Sequence, residues 1–183
     1  MRVESGQLND VLLFRPSPSR DDRGFFTRTF DADVAAAHGI DAAAFVQDSQ
    51  SRSAAGTLRG LHGRRGEGEA KLVRCARGAI LDVVVDARPE SSTFGRHQAF
   101  RLDDEELCVL YVPRGFLHGF QVLSQEVDIC YRIDRRHDPA EDVSVRYDDP
   151  DLGIDWPLPV DTLSPRDVAA GSWRELVGSD VRC

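Results

Sequence analysis

KLVRCARGAILDVVVD, residues 71–86, decides the reading of the fold. It holds two apolar runs, Lys71 to Ala76 and Ile80 to Asp86, either side of the turn signal Arg77-Gly78. Each run is too short for a stable helix. The three consecutive valines are stiff at the first side-chain torsion and suit a pleated strand. The same unit recurs outward from this pair, upstream at Ala44 to Asp48 and downstream at His97 to Leu102, Leu107 to Val112, His118 to Leu123 and Val127 to Ile133. Arg88-Pro89, Asp103-Asp104 and Pro113-Arg114-Gly115 fall between the runs as turns. Short strands at regular spacing, with no helix between them, favour an all-β sandwich or barrel over alternating βα units. A jelly roll is the expected form.

Toward the ends the pattern thins. Asp31 can cap a short helix over Ala32 to Ala37, which Gly39 would end. Beyond Pro139 the chain turns acidic and proline-rich (Asp148-Asp149-Pro150, Trp156-Pro157-Leu158-Pro159), as expected of a surface excursion, and a short helix is expected from Pro165. With no repeat or linker, residues 1–183 are expected to form one domain.

Composition narrows the function. At 41% hydrophobic and 30% charged the chain has the make-up of a soluble globular protein, and no apolar run approaches a membrane span. The polar start MRVESGQLND has no secretory character, so a cytoplasmic location is the expectation. A net charge of -8 argues against a nucleic-acid partner. Of the 23 basic residues 22 are Arg, whose planar forks suit a small phosphate ligand, and Lys71 is the one lysine. Cys75, Cys108 and Cys130 lie in apolar runs and Cys183 near the end, without a CxxC pair; reduced core thiols are expected for the first three.

Two segments carry chemistry. Leu58-Arg59-Gly60-Leu61-His62-Gly63 sets an arginine and a histidine three residues apart. In a strand those two side chains face opposite ways unless the backbone bends at Gly60. In Tyr111-Val112-Pro113-Arg114-Gly115-Phe116-Leu117-His118-Gly119-Phe120 a proline-glycine turn throws His118 onto the first position of a new apolar strand. Together with Gly56, His62, Glu69 and Gly78, that run resembles the two sequence boxes of cupin barrels. One alternative follows from this: a metal-dependent oxygenase or isomerase built on His62, Glu69 and His118, with Arg64 where metal cupins carry a second histidine.

The whole chain shows a closer likeness. Asp21-Asp22-Arg23-Gly24-Phe25-Phe26, Gln47-Asp48-Ser49, Gly56 to His62, Ala70-Lys71-Leu72-Val73, Ile80 to Asp86, Pro113 to Phe120, Asp149 to Pro157 and Leu163-Ser164-Pro165-Arg166-Asp167 appear in order. In this it resembles the dTDP-4-dehydrorhamnose 3,5-epimerases. The resemblance implies a cupin-like double-stranded β-helix jelly roll with a few short helices. It implies epimerisation at C3, C5 or both of a nucleotide-activated 4-keto-6-deoxyhexose, without metal or redox cofactor. It gives His62 the role of base, Asp167 that of its orienting carboxylate, Lys71 the enolate oxygen and Tyr131 the acid on the opposite face. Arg59 becomes a diphosphate clamp; Gln47, Ser49 and His118 line the sugar pocket, with Asp82 supporting the histidines. Arg23 and Phe26 match nucleotide contacts that come from a neighbouring subunit, which implies a homodimer with a swapped N-terminal segment. The sequence departs from the family pattern at Arg28, where a Glu is usual, at Ser49 for Asn, at Arg64 and Glu69 for Gln, and at His137 for an aromatic. Pairing of Arg64 with Glu69 is expected.

Overall fold

The computed structural model describes residues 1–178. Its strands are β1 (Arg2–Ser5), β2 (Leu12–Arg15), β3 (Ser19–Asp21), β4 (Gly24–Phe26), β5 (Gln47–Ala54), β6 (Leu58–Arg64), β7 (Lys71–Arg77), β8 (Ala79–Asp86), β9 (His97–Asp103), β10 (Val109–Val112), β11 (Phe116–Val122), β12 (Glu126–Ile133) and β13 (Asp142–Ser144). Three short helices, α1 (Ala32–Ala37), α2 (Pro165–Val168) and α3 (Trp173–Gly178), complete it. Among the described residues no helix is long and apolar enough to cross a membrane.

The strands make a six-stranded sheet in the order β1-β2-β10-β7-β12-β5, a five-stranded sheet in the order β13-β6-β11-β8-β9, and a separate β3–β4 hairpin. Every pairing between named strands is antiparallel, as a jelly roll requires. The main core fills the space between the two large sheets, with Val73, Leu110, Val112 and Ile129 meeting Ile80, Val84, Leu102, Phe116 and Phe120. A second cluster of Leu61, Val85, Leu117, Val143, Val145, Leu152 and Trp173 packs the C-terminal excursion onto the five-stranded sheet. That sheet is therefore covered on both faces, which explains why 80–86 reads as a nearly continuous apolar run rather than an alternating one. A third cluster seats α1 on the six-stranded sheet through Phe14, Ala35, Ile40, Leu72 and Val109.

Several expectations need correction. The proposed strand at Ala44 to Asp48 starts too early: Ala42–Ala44 form a single 3-10 turn capped by the Asp41 carboxylate, and the strand begins at Gln47. Leu107 has a left-handed φ of 59°, so β10 starts only at Val109. The helix from Pro165 ends at Val168, and α3 follows it. Cys75 and Cys108 are core thiols, and burial pushes Cys75 up to about 12. Cys130 is half-buried, beside Asp48, Arg74 and Arg132 on the outer side of the six-stranded sheet, away from the core. Cys183 lies outside the described residues.

Candidate active site

A bulge aligns the two residues of the first chemical segment. His62 on β6 faces His118 on β11, and Arg59 faces Phe120, so three steps along β6 match two along β11. The extra residue falls at Gly60-Leu61. It cancels the alternation that would otherwise send Arg59 and His62 to opposite faces, and both side chains join the face of His118 and Phe120. Glycine is needed there: Gly60 has φ 121°, and a Cβ would stand 2.5 Å from the Gly119 Cα.

Asp167 fixes the His62 ring. Its Oδ1 lies 2.5 Å from His62 Nε2, although 105 residues separate the two. The carboxylate enters on the first turn of α2, where Ser164 caps the helix: the Asp167 amide donates to Ser164 Oγ at 3.1 Å, and the hydroxyl donates to Asp167 Oδ2 at 2.8 Å. Burial would raise this carboxyl, but the His62 ring, the Ser164 hydroxyl and the Gly60 amide outweigh it and hold Asp167 below the ordinary carboxylate range. An ionised acceptor on Nε2 places the ring proton there, so the lone pair of neutral His62 resides on Nδ1.

His62 opens onto a cavity of about 220 Å³ that it shares with Gln47, Ser49, Lys71 and Glu69. Lys71 starts β7 with Nζ 2.9 Å from Glu69 Oε1, and Glu69 Oε2 is 2.7 Å from Arg64 Nε, so the expected Arg64–Glu69 pair is present. Gln47 Oε1 is buried with no hydrogen-bond partner among the described residues, an acceptor left for a ligand hydroxyl.

Tyr131 stands beside this cavity rather than in its wall. From the C-terminal half of β12 its ring meets that of His118 edge-on, with centroids 6.5 Å apart, and its hydroxyl is 3.3 Å from Ser51 Oγ. Burial pushes the phenol up to about 12, so it keeps its proton at any ordinary pH. His118 Nε2 contacts both oxygens of the fully buried Asp82, at 3.0 and 2.8 Å. Burial raises the Asp82 carboxyl against the opposing pull of His118 and Lys71. Arg59 is exposed, held by Ser53 Oγ at 2.9 Å and the Arg52 carbonyl at 3.2 Å.

Arg23 and Phe26 are not brought to the cavity. They belong to the outlying β3–β4 hairpin, where Arg23 pairs with Asp21 and Phe26 is 79% exposed. Arg28 is engaged by the Asp31 carboxylate at 2.6 Å. Sequence reasoning gave no role to Arg166, which lines the cavity and is fixed by Ser144 Oγ and Asp142 Oδ2, both at 2.8 Å. Its position next to Asp167 was the available signal. The alternative set of His62, Glu69 and His118 does not converge. Each of the three already faces its own partner, and no group of three or more His, Cys, Asp or Glu among the described residues is arranged for a metal ion.

The family model for dTDP-4-dehydrorhamnose 3,5-epimerase matches residues 5–175. The chain belongs to that family. An epimerase of this name from Methanothermobacter thermautotrophicus is 42% identical over 151 residues, which is 82% of this chain and 81% of the relative. Among solved structures, a 4-keto-6-deoxy sugar epimerase from the novobiocin biosynthetic gene cluster of Streptomyces spheroides superposes with a TM-score of 0.91 at 38% identity, covering 96% of this chain and 88% of that one. A dTDP-6-deoxy-D-glucose-3,5-epimerase from Legionella pneumophila, in complex with dTDP-4-keto-L-rhamnose, gives 0.88 at 39% identity, covering 93% and 92%. The likeness agrees with the jelly-roll and carbohydrate-epimerase readings of the sequence.

Proposed function

We propose that the chain epimerises C3 and C5 of a dTDP-4-keto-6-deoxyhexose, converting a dTDP-4-dehydro-6-deoxyglucose to the 4-dehydrorhamnose configuration through an enolate, with no cofactor. The observation that carries this reading is His62: a buried carboxylate holds its Nε2, and the ring lines a cavity that also contains the only lysine of the chain.

The protons on the carbons flanking a C4 ketone are acidic because the electron pair left behind moves into the carbon–carbon double bond and the C4 oxygen takes the charge. His62 Nδ1 accepts the proton, and the imidazolium formed is stabilised by Asp167. Lys71 meets the charge growing on the C4 oxygen. Tyr131 gives its proton to the same carbon from the opposite face, the enolate collapses to the ketone, and solvent returns a proton to the phenolate while His62 releases its own. A phenol held near 12 is suited to this step, since it stays protonated until a strongly basic carbon approaches.

Arg59 clamps the diphosphate as a guanidinium fork, and Gln47, Ser49 and His118 contact the sugar, with Asp82 behind His118. The detached β3–β4 hairpin, with Phe25 and Phe26 exposed, supports a homodimer in which Arg23 and Phe26 reach the nucleotide of the neighbouring subunit. The enzyme is a single-domain, cytoplasmic protein in this reading. The test is product identity: dTDP-4-keto-6-deoxyglucose is incubated with the purified chain, reduced with borohydride and hydrolysed. We expect 6-deoxy-L-hexoses. Recovery of only 6-deoxy-D-glucose and 6-deoxy-D-galactose, the reduction products of unreacted substrate, would contradict the proposal.

A further inference from the structure

Lys71 is not a free cation. Its ammonium is 2.9 Å from a carboxylate, Glu69, and both side chains are largely buried. A lysine so paired would ordinarily lose most of its pull on a second anion, because the carboxylate screens it where water cannot. Here, however, the carboxylate is shared. Its other oxygen is 2.7 Å from Arg64 Nε, close enough for an ion pair but off the line of a hydrogen bond. Arg64 is only 4% exposed and is held from two further sides, donating to the Arg136 carbonyl at 2.7 Å and to His137 Nδ1 at 2.8 Å. The next carboxylates, Glu141 and Asp142, are 3.9 Å from Arg64 and have closer partners of their own, Arg135 at 3.3 Å and Arg166 at 2.8 Å. The buried cluster of Arg64, Glu69 and Lys71 therefore has two positive charges and one negative, and it keeps one net positive charge at the cavity wall.

We propose that Glu69 is a positioning residue that holds the Lys71 ammonium toward the substrate, and that Arg64 draws off enough of the Glu69 charge to leave Lys71 effective as a cation. This rests on the reading of Lys71 as the group that meets the enolate oxygen. Removing Arg64 leaves Glu69 to neutralise Lys71. Removing the Glu69 charge releases Lys71 from its place and buries two cations without a partner. Removing both charges restores the net of one but leaves Lys71 unheld.

The experiment is a double-mutant cycle on the full chain, reading kcat and KM from turnover of dTDP-4-keto-6-deoxyglucose. Arg64→Gln and Glu69→Gln are each expected to lower kcat about tenfold or more, with KM within about twofold, since the loss falls on charge that develops only in the transition state. The Arg64→Gln, Glu69→Gln double variant is expected to fall no further than Glu69→Gln alone, because Arg64 acts only through the Glu69 charge and coupled residues are not additive. A double loss equal to the product of the single losses, or a rise in KM with kcat unchanged, overturns the inference. If Glu69→Gln does not fold because Arg64 is left unpaired, Arg64→Gln carries the test alone, and a kcat within about threefold of the parent, or a rise in KM with kcat unchanged, overturns the inference. Lys71→Gln separates the two levels. A parent without turnover, or a Lys71→Gln variant with the parent's kcat, overturns the reading of the site and this inference with it. An active parent, an inactive Lys71→Gln and multiplying losses overturn this inference alone.

Discussion

Asp167→Asn removes the charge behind His62 while nearly preserving the shape that packs there. The perturbation is local, because Asp167 is only 3% exposed and is reached by His62, Ser164 and the Gly60 amide. With Nε2 and Oδ1 2.5 Å apart, the centres of the imidazolium and carboxylate charges lie about 4 Å apart, where a pair at an effective dielectric of 20 interacts by about 4 kcal/mol. About half of that is realised if the proton is half transferred in the transition state and all of it if transfer is complete, so the loss is about 2–4 kcal/mol, or about 30- to 1,000-fold in rate. The fall should appear in kcat for exchange of the C3 and C5 protons, whereas KM should move little, since Asp167 is not part of the cavity wall. Stopped-flow or quenched exchange in heavy water, with a melting curve to establish folding, makes the measurement. A folded Asp167→Asn variant within about threefold of the parent in kcat would refute the claim that this carboxylate stabilises the protonated base.

Three other outcomes follow. Tyr131→Phe should still exchange substrate protons with solvent on the His62 face but lose inversion, and inverted product at the parent's rate would remove Tyr131 as the acid. Arg59→Ala should raise KM for the nucleotide sugar by about tenfold or more while leaving the bound-state rate within a few-fold, as expected for a phosphate contact; titration calorimetry with dTDP checks the same point. Asp86→Asn tests the fold instead: Asp86 is fully buried and accepts from Arg88, Ser91 and Thr93, which outweigh burial and hold its carboxyl below the ordinary range. A depressed folded value contributes stability above the unfolded value of about 3.9 and loses it as pH falls through the folded value, so the variant should be about 2–3 kcal/mol less stable at pH 7, and in urea melts the gap should begin to close only below about pH 4 and narrow as pH falls through the folded value.

The legible parts of the fold were the strands whose apolar faces meet the core. β7, β8, β9, β11 and β12 were recognisable because Val73, Ile80, Val84, Leu102, Phe120 and Ile129 are packed between the sheets. β5 was not, for a physical reason tied to the site. Its sequence QDSQSRSA turns Ser51 toward the Tyr131 hydroxyl and Ser53 toward Arg59, and Gln47 and Ser49 line the cavity, so the strand has polar residues where a core strand has apolar ones. The apolar Ala42–Ala44 and Phe45 beside it drew the boundary three residues early. The β3–β4 hairpin is exposed at every position and offers no burial pattern at all.

The site divides in the same way. Arg59 and His62 signalled a bend at Gly60, and the bulge against β11 supplies it. Lys71 stood out as the one lysine among 22 arginines. Asp167 could not be joined to His62 by any local pattern, since the contact spans 105 residues, and Tyr131 reads as an ordinary strand aromatic; only the likeness to a family singled them out. The arrangement of Glu69 between Arg64 and Lys71 was half visible: the Arg64–Glu69 pair followed from charge, but the sharing with Lys71 depends on β6 and β7 converging at one end of the cavity.

The central claim is that carbanions form at the carbons flanking the ketone, and proton NMR of dTDP-4-keto-6-deoxyglucose in heavy water with purified enzyme tests it most directly. The account predicts that the C3 and C5 proton signals both disappear as deuterium enters, and that neither is lost with His62→Ala. Persistence of both signals with the active-site residues intact, or exchange surviving at the parent's rate in His62→Ala, would contradict it.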